Sequence, residues 1–223
     1  INNVLSLGAG VNFSYLNLVL NPIFGFPGSN IPDSQSNNQA SGTGVGGNIG
    51  ILLQPIPALK IGFDYRSVTA YQLNGTSVFN GTQQVTSNNY HFDIWTPAHS
   101  TLSASYFVSP KIGFIGTVQR IQWSIFNNVN AYGIAFMSGG QPTILNASIP
   151  YHWHDGWAFT VGNIYNLTPK WVVRIAGSYI QSPGNPNYQI VTGNSFVLGS
   201  SVGYEINKIV SVDGSYAHAF AQD

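Results

Sequence analysis

Charge is scarce in this chain. Seven basic and seven acidic side chains make up 6% of its 223 residues, where an ordinary soluble domain carries about 25%. A water-facing globule needs that charge for solubility, so a surface this neutral excludes most soluble architectures. With no surplus of Lys and Arg there is no electrostatic footprint for nucleic acid. A net charge of zero also predicts no steering toward acidic substrates or anionic lipid surfaces. Cysteine is absent, which excludes a disulfide framework and every thiolate metal or redox site. No run of about 18 apolar residues occurs, so no transmembrane helix is expected. The chain opens at INNVLSLGAG, already in strand-like alternation and without the basic and apolar regions of a signal peptide. Small and uncharged polar residues stand where charge is missing: 23 Asn, 23 Ser and 25 Gly. With 13% aromatic and 43% hydrophobic residues, disorder is excluded as well.

Alternation with a period of two runs through the chain. From Leu5 to Tyr15 the odd positions read Leu, Leu, Ala, Val, Phe, Tyr and the even ones Ser, Gly, Gly, Asn, Ser. That is one apolar face and one small, polar face. The pattern returns around Ile61–Tyr65, Leu102–Tyr106, Trp157–Val161, Trp171–Tyr179, Phe196–Tyr204 and Val212–Tyr216. With segments near Gly44–Leu53 and Ile112–Ile125 this predicts about nine strands. Four connections are tight and place a Lys at or near the start of the next strand: PIPALK (55–60), SPK (109–111), TPK (168–170) and INK (206–208). The others, near 21–43, 74–95, 127–154 and 182–194, are long and rich in Asn, Gly, Ser and Pro. Short and long connections alternate, which sends all short turns to one end. That is the plan of an antiparallel transmembrane β-barrel with short periplasmic turns and long outer loops. Tyr106, Tyr165, Trp171 and Tyr204 adjoin the short turns, and Trp95, Trp123, Trp157 and Tyr179 lie toward the long loops. Two such belts match the interfacial girdles of membrane barrels.

Four stretches also carry a resemblance: GTGVGGNIGILLQPIPALKIGFDYRS (42–67), TPAHSTLSASYFVSPKIGFIGTVQRIQWSIF (96–126), DGWAFTVGNIYNLTPKWVVRIAGSYIQSP (155–183) and SFVLGSSVGYEINKIVSVDGSYAHAF (195–220). In this order they resemble the FadL family of outer-membrane long-chain fatty-acid and hydrocarbon transporters. The resemblance implies a fourteen-stranded barrel with an N-terminal hatch inside it. Residues 1–223 are then expected to be a single but incomplete barrel domain, lacking the hatch and the last strand. It implies residence in the outer membrane of a Gram-negative bacterium. The implied function is passive transport of hydrophobic small molecules such as long-chain fatty acids. Fatty acids or hydrocarbons, outer-membrane lipids and lipopolysaccharide are the implied partners. Arg66 and Ser67 match the family's YRS pattern, Trp123 and Ser124 its WS pattern, and Arg174 and Asp213 an inward Arg and Asp. Ala158 and Ile180 depart from it, standing where the family commonly has Arg and Asp.

Asp64, Arg66, Arg174 and Asp213 are the rare charges on inward faces, since an Arg facing lipid would cost roughly 2–4 kcal/mol near the midplane. They are the candidate ligand-binding residues, with pairing among themselves as the structural alternative. No catalytic constellation is expected: the acids show no close pair and no GxSxG elbow is present. His218, near the outer end of the last strand, is the best candidate base for a barrel enzyme, but among 23 serines a chance juxtaposition is the expected reading. His152 and His154 in YHWHD (151–155) would share a face if they lay on a strand, but without a third distant ligand neither a metal nor another cofactor is expected. GTGVGG (42–47) lacks the helix and Lys of a phosphate loop and reads as loop and strand glycines. A second function from another class stays open, a structural or surface-contact barrel whose long loops meet host or phage.

Overall fold

The computed structural model describes residues 4–24, 33–185, 187 and 193–222. The strands are β1 (Leu5–Leu20), β2 (Ile23–Phe24), β3 (Ser34–Ile56), β4 (Leu59–Arg66), β5 (Thr69–Asn80), β6 (Gln84–Thr96), β7 (His99–Phe107), β8 (Ile112–Ile121), β9 (Asn128–Ser138), β10 (Gln141–Pro150), β11 (Gly156–Asn166), β12 (Trp171–Ile180), β13 (Ser195–Glu205) and β14 (Ser211–Ala221). One 3-10 turn, Trp123–Ile125, lies between β8 and β9. Among the described residues no helix is long and apolar enough to cross a membrane.

All fourteen strands join one antiparallel sheet, and the sheet branches at β3. One edge of β3 pairs with β1 from Leu20↔Asn38 to Leu5↔Leu53. Its other edge pairs with β4 over Asn48–Ile56 and with β5 over Gln35–Ser41. The lower branch gives a wall in the order β1-β3-β4-β7-β8-β11-β12-β13-β14, the nine strands expected from the alternation. The upper branch, β3-β5-β6-β9-β10, stands above it. With 23 residues β3 runs about 75 Å at roughly 3.3 Å per residue, while a tilted spanning strand needs about 9–11 residues. The surplus carries the sheet well beyond a bilayer. The segments expected as long loops at 21–43, 74–95 and 127–154 are therefore largely strand: β2, the start of β3, β5, β6, β9 and β10. Much of the fourth, 182–194, lies outside the described residues.

The wall is two-faced along every strand. One register row reads Leu7–Ile51–Phe63–Leu102–Val118–Phe159–Tyr179–Phe196–Phe220, one apolar side chain from each of the nine strands. The adjacent row, facing the other way, reads Ser6–Leu52–Gly62–Ser103–Thr117–Thr160–Ser178–Val197–Ala219. Neither side is covered by a second layer, so the apolar row is exposed, with Leu102 at 51% and Phe159 at 47%. Among the described residues β14 pairs only β13 and β1 pairs only β3, so the sheet is not closed.

The short turns are built by the residues the motifs supply. Ser109 Oγ accepts from the backbone N–H groups of Lys111 and Ile112. Thr168 Oγ1 accepts from Lys170 and Trp171 in the same way. Asn207 Oδ1 accepts from Ile209 and Val210 at 2.9 Å each. A short polar side chain that stands in for a backbone acceptor is what SPK, TPK and INK encode.

The buried core lies in the upper branch. Ala40, Tyr71, Leu73, Tyr90, Phe92, Val129 and Ala131 form one cluster, and Phe79, Val85 and Ala135 a second. Strand β9 meets β6 at only two positions, His91↔Tyr132 and Phe92↔Ala131, and lays its apolar residues over β5 and β6. Buried polar groups here are satisfied: Ser77 Oγ donates to Asn38 Oδ1 at 2.5 Å and accepts from the Ala135 N–H at 2.9 Å. Glycines in GTGVGG make room in β3: a Cβ on Gly44 would lie 2.7 Å from the Tyr71 ring, and Tyr71 crosses that gap to bond Ser14 at 2.7 Å.

Candidate functional site

Parity places the four charged candidates on the face opposite the apolar row, but not in one place. Arg174, on β12 and four residues past its turn, donates from Nη1 to Asp213 Oδ1 on β14 at 2.8 Å, reaching diagonally across β13. Both side chains are about half exposed, 44% and 52%. Asp64 and Arg66 lie on β4, and no ion pair joins them. Asp64 Oδ1 is 3.9 Å from His99 Nε2. Arg66 sits in register between Asn48 and His99 and has no hydrogen-bond or ion-pair partner among the described residues. Asn12 Nδ2 donates to Asn48 Oδ1 at 3.3 Å, and Asn48 lies over Gly10, where a Cβ would come within 2.8 Å of it. An unpartnered guanidinium is thus flanked by amides and an imidazole.

Below it lies a hollow of about 480 Å³ with Gly8, Gly50, Gly62, Asp64, Thr101 and Ser103 in its lining. No side chain projects from the three glycines, which is what leaves the space. Hydroxyls at its edge and beyond it bond one another: Ser103 with Thr117 at 2.9 Å and Thr160 with Ser178 at 2.8 Å. Ala158 and Ile180, the two departures from the family pattern, are cross-strand partners on this same face. Neither brings a charge to this face, so between β11 and β12 it is apolar at that level.

Other expectations change. His218 belongs to the apolar face, opposite Leu198, and packs edge-on against Phe220 at 4.5 Å, so it cannot serve a lumenal serine. His152 and His154 are not on a strand. His152 has a positive φ of 46° and its Nδ1 lies 2.6 Å from Asn127 Oδ1, while His154 Nδ1 bonds the Asp155 carbonyl at 3.0 Å. The geometry that would have given them one shared ion is absent. In the aromatic belts, Tyr106, Tyr165, Trp171 and Tyr204 occupy the outer face near the short turns as expected. Of the far belt only Trp157 and Tyr179 do, joined by Phe196 and Phe220. Trp95 lies in β6, off the wall. Trp123 packs edge-to-face on Trp153 at 5.5 Å, in a cluster with Phe126 and Tyr151.

An ionic latch absent from the candidate residues fastens this cluster. Arg120 Nε donates to Asp155 Oδ2 at 2.9 Å, with Nη2 also on that oxygen. Ser124 donates its hydroxyl to Oδ1 at 2.7 Å and its backbone N–H at 3.3 Å. Burial raises the pKa of Asp155, but the bonds from Ser124 and Arg120 and the guanidinium charge outweigh it and hold the carboxyl below its usual range. Arg120 falls on the apolar parity, opposite Trp157, and Asp155 at the rim is what makes it tolerable there.

A single-layer antiparallel wall, apolar outside and small and polar inside, with short turns at one end, is the architecture of an outer-membrane barrel wall. The family model described as outer membrane protein transport protein (OMPP1/FadL/TodX) matches residues 1–223. The chain belongs to that family, and its place is the bacterial outer membrane. Its fold is similar to a FadL homologue of Pseudomonas aeruginosa, with a TM-score of 0.78 and 21% identity over 100% of this chain and 57% of that one. It is also similar to the CymD monoaromatic hydrocarbon channel (TM-score 0.71, 18% identity, 100% of this chain and 66% of that one). The Pseudomonas putida toluene transporter TodX follows at a TM-score of 0.71, 16% identity, 97% of this chain and 60% of that one. The chain therefore spans about three-fifths of the length of these relatives. A comparison with curated proteins finds no match.

Proposed function

We propose that the protein gives hydrophobic small molecules a passive route through the outer membrane. The observation that carries this is the inner face: Ser103 with Thr117, Thr160 with Ser178 and Arg174 with Asp213 are paired within the wall, beside a glycine-paved hollow. Such a surface favours a greasy solute over water without chemistry. Long-chain fatty acids are the class in which Arg66 has a use, because a guanidinium without a partner takes a carboxylate bidentately. Arg174, held by Asp213, is the weaker candidate. In the whole protein, further strands close the wall between β14 and β1, and a hatch occupies the lumen.

Uptake of a labelled long-chain fatty acid by cells lacking and carrying the full gene tests this reading. Uptake should rise with the gene, and equal uptake would sink it. In the full-length protein, Arg66→Ala should weaken binding of a fatty acid by roughly 1.5–3 kcal/mol, the scale of a hydrogen bond to a charged group. It should leave a neutral hydrocarbon of similar length unaffected, and Arg174→Ala should do less. A surface-contact role draws support from the folded upper branch, which stands above the bilayer with its own core. Removing β9 and β10 should then abolish attachment while leaving solute uptake intact.

A further inference from the structure

The outer face of the wall continues past the bilayer. Strands β1 and β3 stay paired without a register shift from Leu5↔Leu53 to Leu20↔Asn38, so their odd-numbered side chains keep to one side throughout. Counted back from its last residue, β3 passes Gly47 at the level where β11 carries Trp157 and β13 carries Phe196. Just beyond that level stand Phe13, opposite Val45, and Tyr15, opposite Thr43, their rings 80% and 68% exposed. They extend the outer aromatic girdle onto β1 and mark the interface there. The next outward row crosses five strands in register: Asn17–Ser41–Asn74–His91–Tyr132. Its strand neighbours Ala40, Leu73, Phe92 and Ala131 are buried, so the row faces away from the core of the upper branch. Asn17, Asn74 and Tyr132 are exposed and Ser41 and His91 half-exposed. His91 Nδ1 lies 3.0 Å from Asn74 Oδ1, and the His91 and Tyr132 ring centroids are 5.9 Å apart.

We infer that this row is a saccharide-docking face, which holds neutral sugar units of the lipopolysaccharide beside it in the outer leaflet. Continuity carries the assignment. A molecule whose acyl chains lie along β1 and β3 below Phe13 presents its sugars to Asn17 and Ser41, directly above. Amide and hydroxyl side chains both donate and accept, as sugar hydroxyls require. The Tyr132 ring adds an apolar plane with a polar tip, a surface on which the C–H face of a hexose can lie. Charge excludes the phosphates of the same molecule as the contact. No Lys or Arg occurs in residues 1–59, 67–110 or 121–169, so no strand of the upper branch offers the cation that a phosphate calls for. Asp93, the one carboxylate on these strands among the described residues, lies 2.9 Å from His91 Nε2. The inference rests on the wall meeting lipid and is independent of what crosses the lumen.

A thiol placed on the face reads its occupancy. Thr76 is exposed there, opposite Gln39, so Thr76→Cys is made in full-length protein free of other cysteines. The variant is set in phosphatidylcholine nanodiscs containing either core-complete lipopolysaccharide or the deep-rough form, which keeps lipid A and its phosphates but lacks the neutral core sugars. Core-complete lipopolysaccharide should slow alkylation of the thiol by a maleimide severalfold relative to the deep-rough form. The thiol of Lys208→Cys, at the short-turn end, should react equally in both. Adding Asn74→Leu to Thr76→Cys should abolish the slowing, and so should Asn17→Leu, an exposed change on a different strand. Molar salt, which screens ionic contacts, should leave the slowing intact. Equal rates for Thr76→Cys in the two lipopolysaccharides would overturn the docking face. Slowing that survives both Leu changes would be crowding by sugars that the face does not recognise, and would overturn it as well. Loss of the slowing in molar salt would assign the contact to phosphates instead. The same slowing by a soluble neutral glucan in nanodiscs without lipopolysaccharide would assign the face to a free glycan, and either result would overturn the proposal.

Discussion

The wall and the upper branch are built from the same alternating strands and solve opposite problems. In the wall the apolar side chains are exposed: Val161 at 71% and Leu102 at 51%. In the upper branch the apolar side chains of β5 are sealed, with Leu73 at 0% and Phe79 at 2%. The difference lies in what covers the apolar face, a bilayer in one case and the β9–β10 hairpin in the other. Alternation tells that a strand has two faces. It does not tell what the apolar face meets. The branch point at β3 shows how one strand serves both: its lower half pairs with β4 in the wall and its upper half with β5 in the packed sheet.

The comparison breaks most visibly at Phe79. Its ring packs at 5.1 Å on Phe136 and 6.1 Å on Phe24, so Phe79→Ala leaves a cavity that costs about 3–5 kcal/mol. Protease resistance and hydrogen exchange of β5, β6 and β9 should fall accordingly while the wall stays folded. Phe159→Ala, in the lipid-facing row, should leave the upper branch as protected as before, because an acyl chain fills the space. Equal loss of protection in both variants would show that wall and upper branch unfold as one unit.

The next effect runs the other way. Val161 stands at the middle of β11, and Val161→Arg places a charge against lipid at a cost of roughly 2–4 kcal/mol. Thr76→Arg, on the exposed face of β5, should stay within about 0.5 kcal/mol. Denaturant titration of the full-length protein refolded into vesicles measures both. Similar losses would mean that the apolar face of the wall does not meet lipid.

The wall was legible in the sequence because its strands keep one phase from turn to turn, and because Ser109, Thr168 and Asn207 announce their turns. The upper branch was not, for a reason visible at Gly75. The β5–β6 pairing slips between Gly75 and Ser77, and the buried positions of β6 pass from odd (Val85, Ser87) to even (Tyr90, Phe92). A bulge that reverses phase erases the period by which a strand is read, and the Asn- and Ser-rich composition of this stretch hides it further. Arg174 and Asp213 could each be assigned to the inner face by parity, but their meeting depends on a diagonal across β13 that only the register supplies. The Arg120–Asp155 latch joins residues 35 apart in sequence, and Arg120 has the parity of a lipid-facing residue. Only the position of Asp155 at the rim makes sense of it.

That latch carries the smallest of these effects and marks the seam between the two regions. Asp155 joins the end of β8 to the aromatic turn around Trp123, so its loss should loosen the turn without disturbing either neighbour. Arg120 is 47% exposed, and solvent screening limits the pair to about 1 kcal/mol or less. The sign with pH follows from the lowered carboxyl pKa. A carboxylate stabilised in the folded state contributes fully above the ordinary aspartate range, and that contribution fades as pH falls below about 4 and the group takes up a proton. The Ser124 N–H, which donates to Asp155 Oδ1, reports the latch directly. After correction for the intrinsic rate, its hydrogen exchange should be slow and level near neutral pH and quicken by up to about fivefold below pH 4. In Asp155→Asn it should be quick throughout, with no such step. A step that persists in Asp155→Asn would mean that another group titrates, and that the seam between wall and upper branch is held elsewhere.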